Sequence, residues 1–353
     1  VPTLATPCSS RNLFPVFDCS PILESARRQL GCRGVLCTLS EDGRWTTFSA
    51  GNISAADHRR PYYIYSISKT FTAAAVLLLH ERQGKLLDRP LRSVLPEAPI
   101  PDGITVRQVL NHTSGLSDYF DSRDYHAAVR QHPEQPWSHE KLMRVGLRGT
   151  PRFAPGQGWS YSNPGYALLR ELIARLSGQD YFDFLTETIC RPLGLTATRP
   201  FLAPDLSGEL LEGEAPEIAG DFRRRYAPGW IAPGCLISTT EEVARFYDAL
   251  FAGQVIGGES LRAMTSTIDV PVPVLAGGGI PAYGLGVMHD RQDPLGDAWG
   301  HGGGGPGYTT YVRHYPVLEG HTFTLSLVLN RTLPATPFDL ADTLVRAYQA
   351  SVR

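Results

Sequence analysis

The sequence predicts an α/β protein: an antiparallel sheet built from both chain ends and flanked by helices, with a mostly helical domain inserted between them. Three observations predict it. Strand-type segments lie near residues 34–50 and recur from about 280 to 330, helical patterns broken by Pro/Gly loops fill about 85–265, and an amphipathic segment closes the chain. Strands from the two ends then pair most economically in one sheet, with the helical block as an excursion from it. The implied division is 1–84 with 266–353 as the sheet domain and 85–265 as the helical one.

In chain order, Ser20–Leu30 reads as a helix, followed by short strands at Gly34–Leu39 and Trp45–Ala50. The strongest helix runs from about Ser66 to Gln83, rich in Ala and Leu, with Gly84 where a C-terminal cap belongs. In the middle block the clearest helices are Asn163–Leu176, followed by Gly178, and Thr240–Phe251, with Thr239 or Thr240 as N-cap. Tyr283–His289, Tyr308–Tyr315 and Thr322–Asn330 read as strands, and Phe338–Ser351 as the final helix.

Composition narrows the function classes. The 353 residues carry 33 basic and 35 acidic side chains, a net charge of −2 with no basic block, so nothing marks a nucleic-acid surface. The longest purely apolar run, Ala73–Leu79, is far short of the roughly 18 residues that cross a bilayer, and no membrane span is predicted. With 35 Gly and 28 Pro the chain is rich in loops but below the roughly 25–30% at which disorder becomes the default. The six cysteines (Cys8, Cys19, Cys32, Cys37, Cys190 and Cys235) form no Cys-x-x-Cys pair, and no His spacing completes a zinc set, so no metal is expected. One disulfide among the first four, or free core thiols, are both compatible with their positions. The first residue is Val rather than Met; removal of a signal peptide and trimming both account for that, and export to the periplasm or medium is the expectation over a cytoplasmic location. Lysine occurs only at Lys69, Lys85 and Lys141, so chemistry that needs a neutral amine has few candidates.

One of those lysines stands in Tyr65-Ser66-Ile67-Ser68-Lys69, at the mouth of the long helix. Residues three apart share a helix face, so Ser66 Oγ and Lys69 Nζ can approach each other. An amine made partly neutral by burial can take the serine proton, and the unpaired N–H groups of a helix start can receive an oxyanion. The plainer alternative is a capping serine followed by an exposed lysine. Trp159-Ser160-Tyr161-Ser162-Asn163 precedes the next clear helix and offers a phenol for proton transfer and an amide for orientation. The plainer alternative there is an aromatic anchor with an Asn cap. Trp299-Gly300-His301-Gly302-Gly303-Gly304-Gly305-Pro306-Gly307 is a glycine run that lets substrate approach the backbone and exposes N–H donors. It formally matches a dinucleotide pattern, but a strand follows where a helix should begin. It also looks like a lipase oxyanion loop, yet no Gly-x-Ser-x-Gly lies downstream.

Ser-x-x-Lys, Tyr-x-Asn about 95 residues later and His-x-Gly about 140 residues after that resemble the serine β-lactamase/DD-peptidase superfamily. The resemblance is to the branch that holds class C β-lactamases, D-stereospecific peptidases and amidases, and related carboxylesterases. Val109–Leu116, Arg191–Leu195 and Pro233–Thr239 resemble its connecting motifs, so the likeness covers most of the chain. It implies a site at the interface of the two domains, with Ser66 as acylated nucleophile, Lys69 as its base partner, Tyr161 as proton shuttle and Asn163 as orienting amide. His301 would stand at the sheet-edge position usually held by Lys or His. The glycine run around Gly303 and Gly304 would face the oxyanion, with the N–H groups of Ser66 and Gly304 as donors. Trp159 and Tyr308 are candidate substrate walls, and neither cofactor nor metal is implied.

The chain departs from the family where penicillin-recognising members carry a hydroxyl, having Gly302 and Gly304 instead. The grip on a substrate carboxylate is thereby weakened, unless an arginine such as Arg223, Arg224 or Arg225 restores the charge. The implied function is a serine hydrolase acting through an acyl-enzyme on a small ester, amide or short peptide, with a D-configured acyl part. Rival readings are a DD-carboxypeptidase or β-lactamase, an acyltransferase with the same residues, and a sensor that acylates without turnover.

Overall fold

The computed structural model describes residues 17–271, 279–334 and 337–353. After helix α1 (Ser20–Leu30), strands β1 (Gly34–Glu41) and β2 (Arg44–Gly51) form a hairpin. Helix α2 (Ser68–Gln83) follows β3 (Tyr62–Tyr63), which pairs with β5 (Leu236–Ser238) beside β4 (Arg199–Pro200) in a small separate sheet. The middle of the chain holds α3 (Val106–Leu110), α4 (Arg123–Gln131), α5 (His139–Gly146), α6 (Asn163–Ser177), α7 (Tyr181–Leu185), α8 (Phe222–Arg225), α9 (Thr240–Phe251) and α10 (Gly258–Met264). The last part returns as β6 (Ile268–Asp269), β7 (Ile280–Tyr283), β8 (Met288–Arg291), β9 (Ala298–Gly305), β10 (Tyr308–Leu318) and β11 (His321–Leu329), ending in α11 (Phe338–Val352).

The main sheet runs β2-β1-β11-β10-β9-β8-β7-β6 and every pair in it is antiparallel. The two chain ends meet where β1 lies on β11, with Val35 opposite Leu329 and Glu41 opposite Phe323. Strand periodicity sends β1 residues Val35, Cys37 and Leu39 to one face, where α1 and α11 cover them with Leu23, Leu344 and Tyr348. Leu36 points the other way, into the larger core around α2 and α9. On β10 the buried Arg313 bonds Asp290, Asp293 and Asp342, fastening α11 to the sheet.

The architecture is the one the sequence predicts: a sheet from both ends with a helical insert. Three local expectations are corrected. Tyr283–His289 is not one strand but a hairpin, β7 turning into β8, with Gly286 at φ +72°. A side chain on Gly286 would meet Ala73 Cβ at 2.5 Å and Lys69 O at 2.8 Å, so glycine lets this turn rest on α2. The glycine run is itself a strand, β9, where alternation of side chains gave no periodic signal. The long helix begins at Ser68, and Ser66 lies in a 3₁₀ turn, Tyr65–Ile67, that leads into it. Cys19, Cys32, Cys37, Cys190 and Cys235 are buried free thiols, and Cys8 lies outside the described residues.

Candidate active site

The turn that carries Ser66 is held from two sides. Tyr65 takes φ +49°, a left-handed conformation that bulky residues rarely adopt, and its hydroxyl donates to Pro306 O at 2.5 Å. Beneath it, β9 must be bare: a Cβ on Gly303 would lie 2.4 Å from Ile64 O, and one on Gly305 would lie 2.4 Å from the Tyr65 ring. These glycines admit the protein's own Ile64 backbone and Tyr65 ring rather than a substrate. Gly304, facing the other way, has nothing within 4 Å of a built Cβ and lines the same cavity as Ser66.

One turn beyond Ser66, at the start of α2, the Lys69 amine donates to Ser66 Oγ at 3.3 Å and to Asn163 Oδ1 at 2.8 Å. Asn163 is the first residue of α6, whose N-cap Ser162 accepts from Gly165 N. Its orientation is fixed by Asp118, which accepts from Asn163 N at 2.8 Å and from Asn163 Nδ2 at 3.0 Å. With Nδ2 committed to the carboxylate, Oδ1 faces the lysine. The other Asp118 oxygen accepts from Phe120 N at 3.0 Å.

Burial lowers the Lys69 pKa to about 8, with the Asp118 charge working the other way. Burial raises Asp118, opposed by the Phe120 and Asn163 amides and by Lys69. Tyr161 is raised by burial, with the Ser66 hydroxyl opposing, so it stays a neutral phenol across the ordinary pH range. Lys69 Nζ sits 4.8 Å from the centroid of the Tyr161 ring, an arrangement that favours the charged amine.

His301 stands on the glycine-run strand as implied, but β9 lies between β10 and β8 rather than at a sheet edge. The imidazole is fully buried and does not line the cavity: Nδ1 donates to Gly302 O at 2.6 Å, so Nε2 accepts from the Tyr283 hydroxyl at 2.9 Å. Burial, reinforced by the Lys69 charge, pushes its pKa down to about 3. Its ring is 6.4 Å from that of Tyr161, which it backs through Tyr283 rather than touching solvent. Two further expectations fail on geometry. Tyr308 is no substrate wall, since its ring is buried and its hydroxyl bonds Leu211 O. Gly303 is packed against Ile64 and accepts from Thr310 Oγ1 at 3.2 Å. Trp159 does line the cavity, with Ser66, Lys69, Tyr161, Asn163 and Gly304.

Residues missed in the sequence complete the site. Asp118 follows an unremarkable Gly-Leu-Ser and becomes visible only when the chain folds back onto Asn163. His112 packs its ring 4.3 Å from that of Tyr161, at φ +64°, with Nδ1 accepting from Ser162 N at 3.1 Å. The cavity encloses about 680 Å³ and has an apolar side formed by Phe120, Tyr125, Tyr226 and Ile231. The arginines that line it are Arg130 and Arg152, whereas Arg223 pairs with Asp221 away from it. Among the described residues no group of three His, Cys, Asp or Glu side chains could hold a metal ion.

The comparison with known families decides the kinship. A model of the family described as Beta-lactamase matches residues 22–350. The chain belongs to this family. Among curated Beta-lactamase relatives, penicillin-binding protein 4* of Bacillus subtilis is 32% identical over 273 residues, covering 72% of this chain and 58% of that protein. A D-aminopeptidase of Cereibacter sphaeroides is 26% identical over 293 residues, covering 80% of this chain and 54% of that one. The chain thus spans a little over half the length of either relative. A D-stereospecific amidohydrolase from Streptomyces sp. superposes with a TM-score of 0.80 at 28% identity, covering 92% of this chain and 96% of that one.

Proposed function

We propose that this protein is a serine hydrolase that forms an acyl-enzyme on Ser66 and cleaves small amides or esters with a D-configured acyl part. The observation that carries the reading is the Lys69 amine, buried, lowered to about 8 and 3.3 Å from Ser66 Oγ. Such an amine is neutral in useful fraction near neutral pH, as a general base must be. The D-configured amide is supported by the Streptomyces amidohydrolase and the Cereibacter aminopeptidase, which match most of the chain under those names.

In this mechanism Ser66 Oγ attacks the substrate carbonyl carbon while its proton passes to Lys69 Nζ. The carbonyl oxygen, now negative, is received by the N–H groups of Ser66 and Gly304. The C–N or C–O bond breaks as Tyr161 gives its proton to the departing amine or alcohol and recovers one from Lys69. Water then attacks the acyl-enzyme by the reverse path and frees the acid. Asn163, held by Asp118, keeps the lysine amine directed at Ser66 throughout.

A penicillin-binding or DD-peptidase role is the second reading, favoured by the Bacillus relative and by Arg130, which lines the cavity with no ion pair among the described residues. Against it stand a neutral, buried His301 and the absence of a hydroxyl at Gly302 and Gly304. A fluorophosphonate probe should label the chain once, at Ser66, and Ser66→Ala should abolish label and turnover together. Turnover that survives Ser66→Ala, or that is lost to a chelator, would refute the mechanism.

A further inference from the structure

The carboxylates that line the cavity differ in what already occupies them. Asp118 is taken up by Asn163 and the Phe120 amide. Asp121 is paired with Arg152. Glu217 is half-buried on the cavity wall, and its Oε1 accepts from Thr332 Oγ1 at 3.0 Å. Among the described residues no cation lies within ion-pair reach of it. Arg33 and Arg331 are engaged with Glu214, and Arg223 with Asp221.

Its position is set relative to the reacting groups. Thr332 Oγ1 accepts from Gly307 N at 2.9 Å and lies 3.2 Å from Gly305 O, so it ties Glu217 to the end of β9, one residue past the Gly304 donor. Tyr226 and Ile231 supply apolar wall to the same cavity. A carboxylate without a cation, next to an oxyanion donor and an apolar wall, is complementary to an acyl group that carries a positive charge and an apolar side chain. An α-ammonium group has that charge, with an ordinary pKa near 7.7–8.0.

We propose that Glu217 binds the protonated α-amino group of the acyl part, which makes the substrate class D-amino-acid amides with a free amine. This rests on the amidase reading above. An N-acylated substrate would bring a neutral amide to the carboxylate and lose the charge-assisted hydrogen bond.

The test compares D-phenylalanine p-nitroanilide with its N-acetyl derivative in wild type, Glu217→Gln and Glu217→Asp. Wild type should favour the free amine at pH 6.5. Glu217→Gln should reduce that preference about tenfold, the factor that 1.4 kcal/mol represents, and mainly through KM. Glu217→Asp should retain part of it. The wild-type preference should fade as pH rises through the amine pKa. Turnover of both compounds with the same ratio in wild type and Glu217→Gln overturns the role of Glu217 alone, and so does a wild-type preference for the acetyl compound. Turnover of neither compound overturns the amidase reading and this one together, whereas Ser66 labelling reports on the nucleophile independently.

Discussion

Lys69 and His301 both lie near the Tyr161 ring and both are buried, yet burial leaves them in different electrical conditions. Lys69 Nζ lies 4.8 Å from the Tyr161 ring centre and keeps a pKa of about 8. His301, with its ring 6.4 Å away, is driven to about 3. Desolvation is the first cause in both. What differs is the company: Lys69 donates to Asn163 Oδ1 and feels the Asp118 charge, whereas His301 has a backbone carbonyl, a phenol and the repulsion of Lys69 itself. Burial drives a base's pKa down, and a carboxylate nearby holds it up toward the neutral range. The helix mouth has one and the glycine strand does not.

The comparison is tested most severely by removing each base. Lys69→Ala should lower the acylation rate by about two to four orders of magnitude, the span for a positioned acid–base group. His301→Gln should cost less in rate and more in melting temperature, because it disturbs the Tyr283 hydroxyl rather than Ser66. Equal losses in single-turnover acylation would break the comparison and return His301 to proton transfer.

The pH profile sharpens it. Neutral Lys69 becomes more populated as pH rises, so acylation should climb up to about pH 8 and level off above it, with no inflection near 6.5. Asp118→Asn withdraws the charge that supports the lysine ammonium and should move that limb to lower pH. Stability depends on pH through His301, in a lower window. The unfolded chain takes up a proton on His301 below its ordinary 6.5, and the native chain resists until about 3, so the stability of the folded state should fall as pH drops through that window. Replacing His301 by Gln should flatten this part of a pH-dependent melting series.

The smallest effects separate neighbouring glycines. Gly303→Ala places a methyl 2.4 Å from Ile64 O and should destabilise by about 1–3 kcal/mol in thermal unfolding, the usual cost of overpacking. Gly304→Ser enters open space and should leave the unfolding free energy within about 0.5 kcal/mol of wild type. Wild type should prefer an amide that lacks a carboxylate beside the scissile bond over its free-acid partner, and the added hydroxyl should narrow that preference.

Much of this was legible in the sequence. Elements with their own punctuation came through: α1, α6 and α9 each begin within a residue of expectation, because Pro, Ser, Thr and Gly mark their ends. So did the pair Ser66 and Lys69, since one helical turn fixes their approach. What stayed hidden depended on contacts with no local trace. β9 has no side chains to alternate over its glycines, so its strand character exists only in its pairing with β10. Whether His301 faced the cavity or the core turned on how the Gly303 and Gly305 backbone receives Tyr65. Asp118 and Glu217 are ordinary acids until the fold sets one against Asn163 and the other on the cavity wall.

The register that joins the two chain ends also sets a timetable for synthesis. β1 pairs at once with β2, but its other edge is covered only by β11, nearly three hundred residues further along the chain, with Val35 against Leu329. At roughly 5–20 residues per second, β11 leaves the ribosome some tens of seconds after Ser66 does. During that interval the nascent chain holds Ser66, Lys69, Tyr161 and Asn163 but lacks the sheet on which their geometry depends. β9, which supports the Ser66 turn, is central to that late sheet. Ser66 is therefore translated early and positioned late, and a chain that stops short of β11 carries every residue of the helix-mouth cluster without the means to position it.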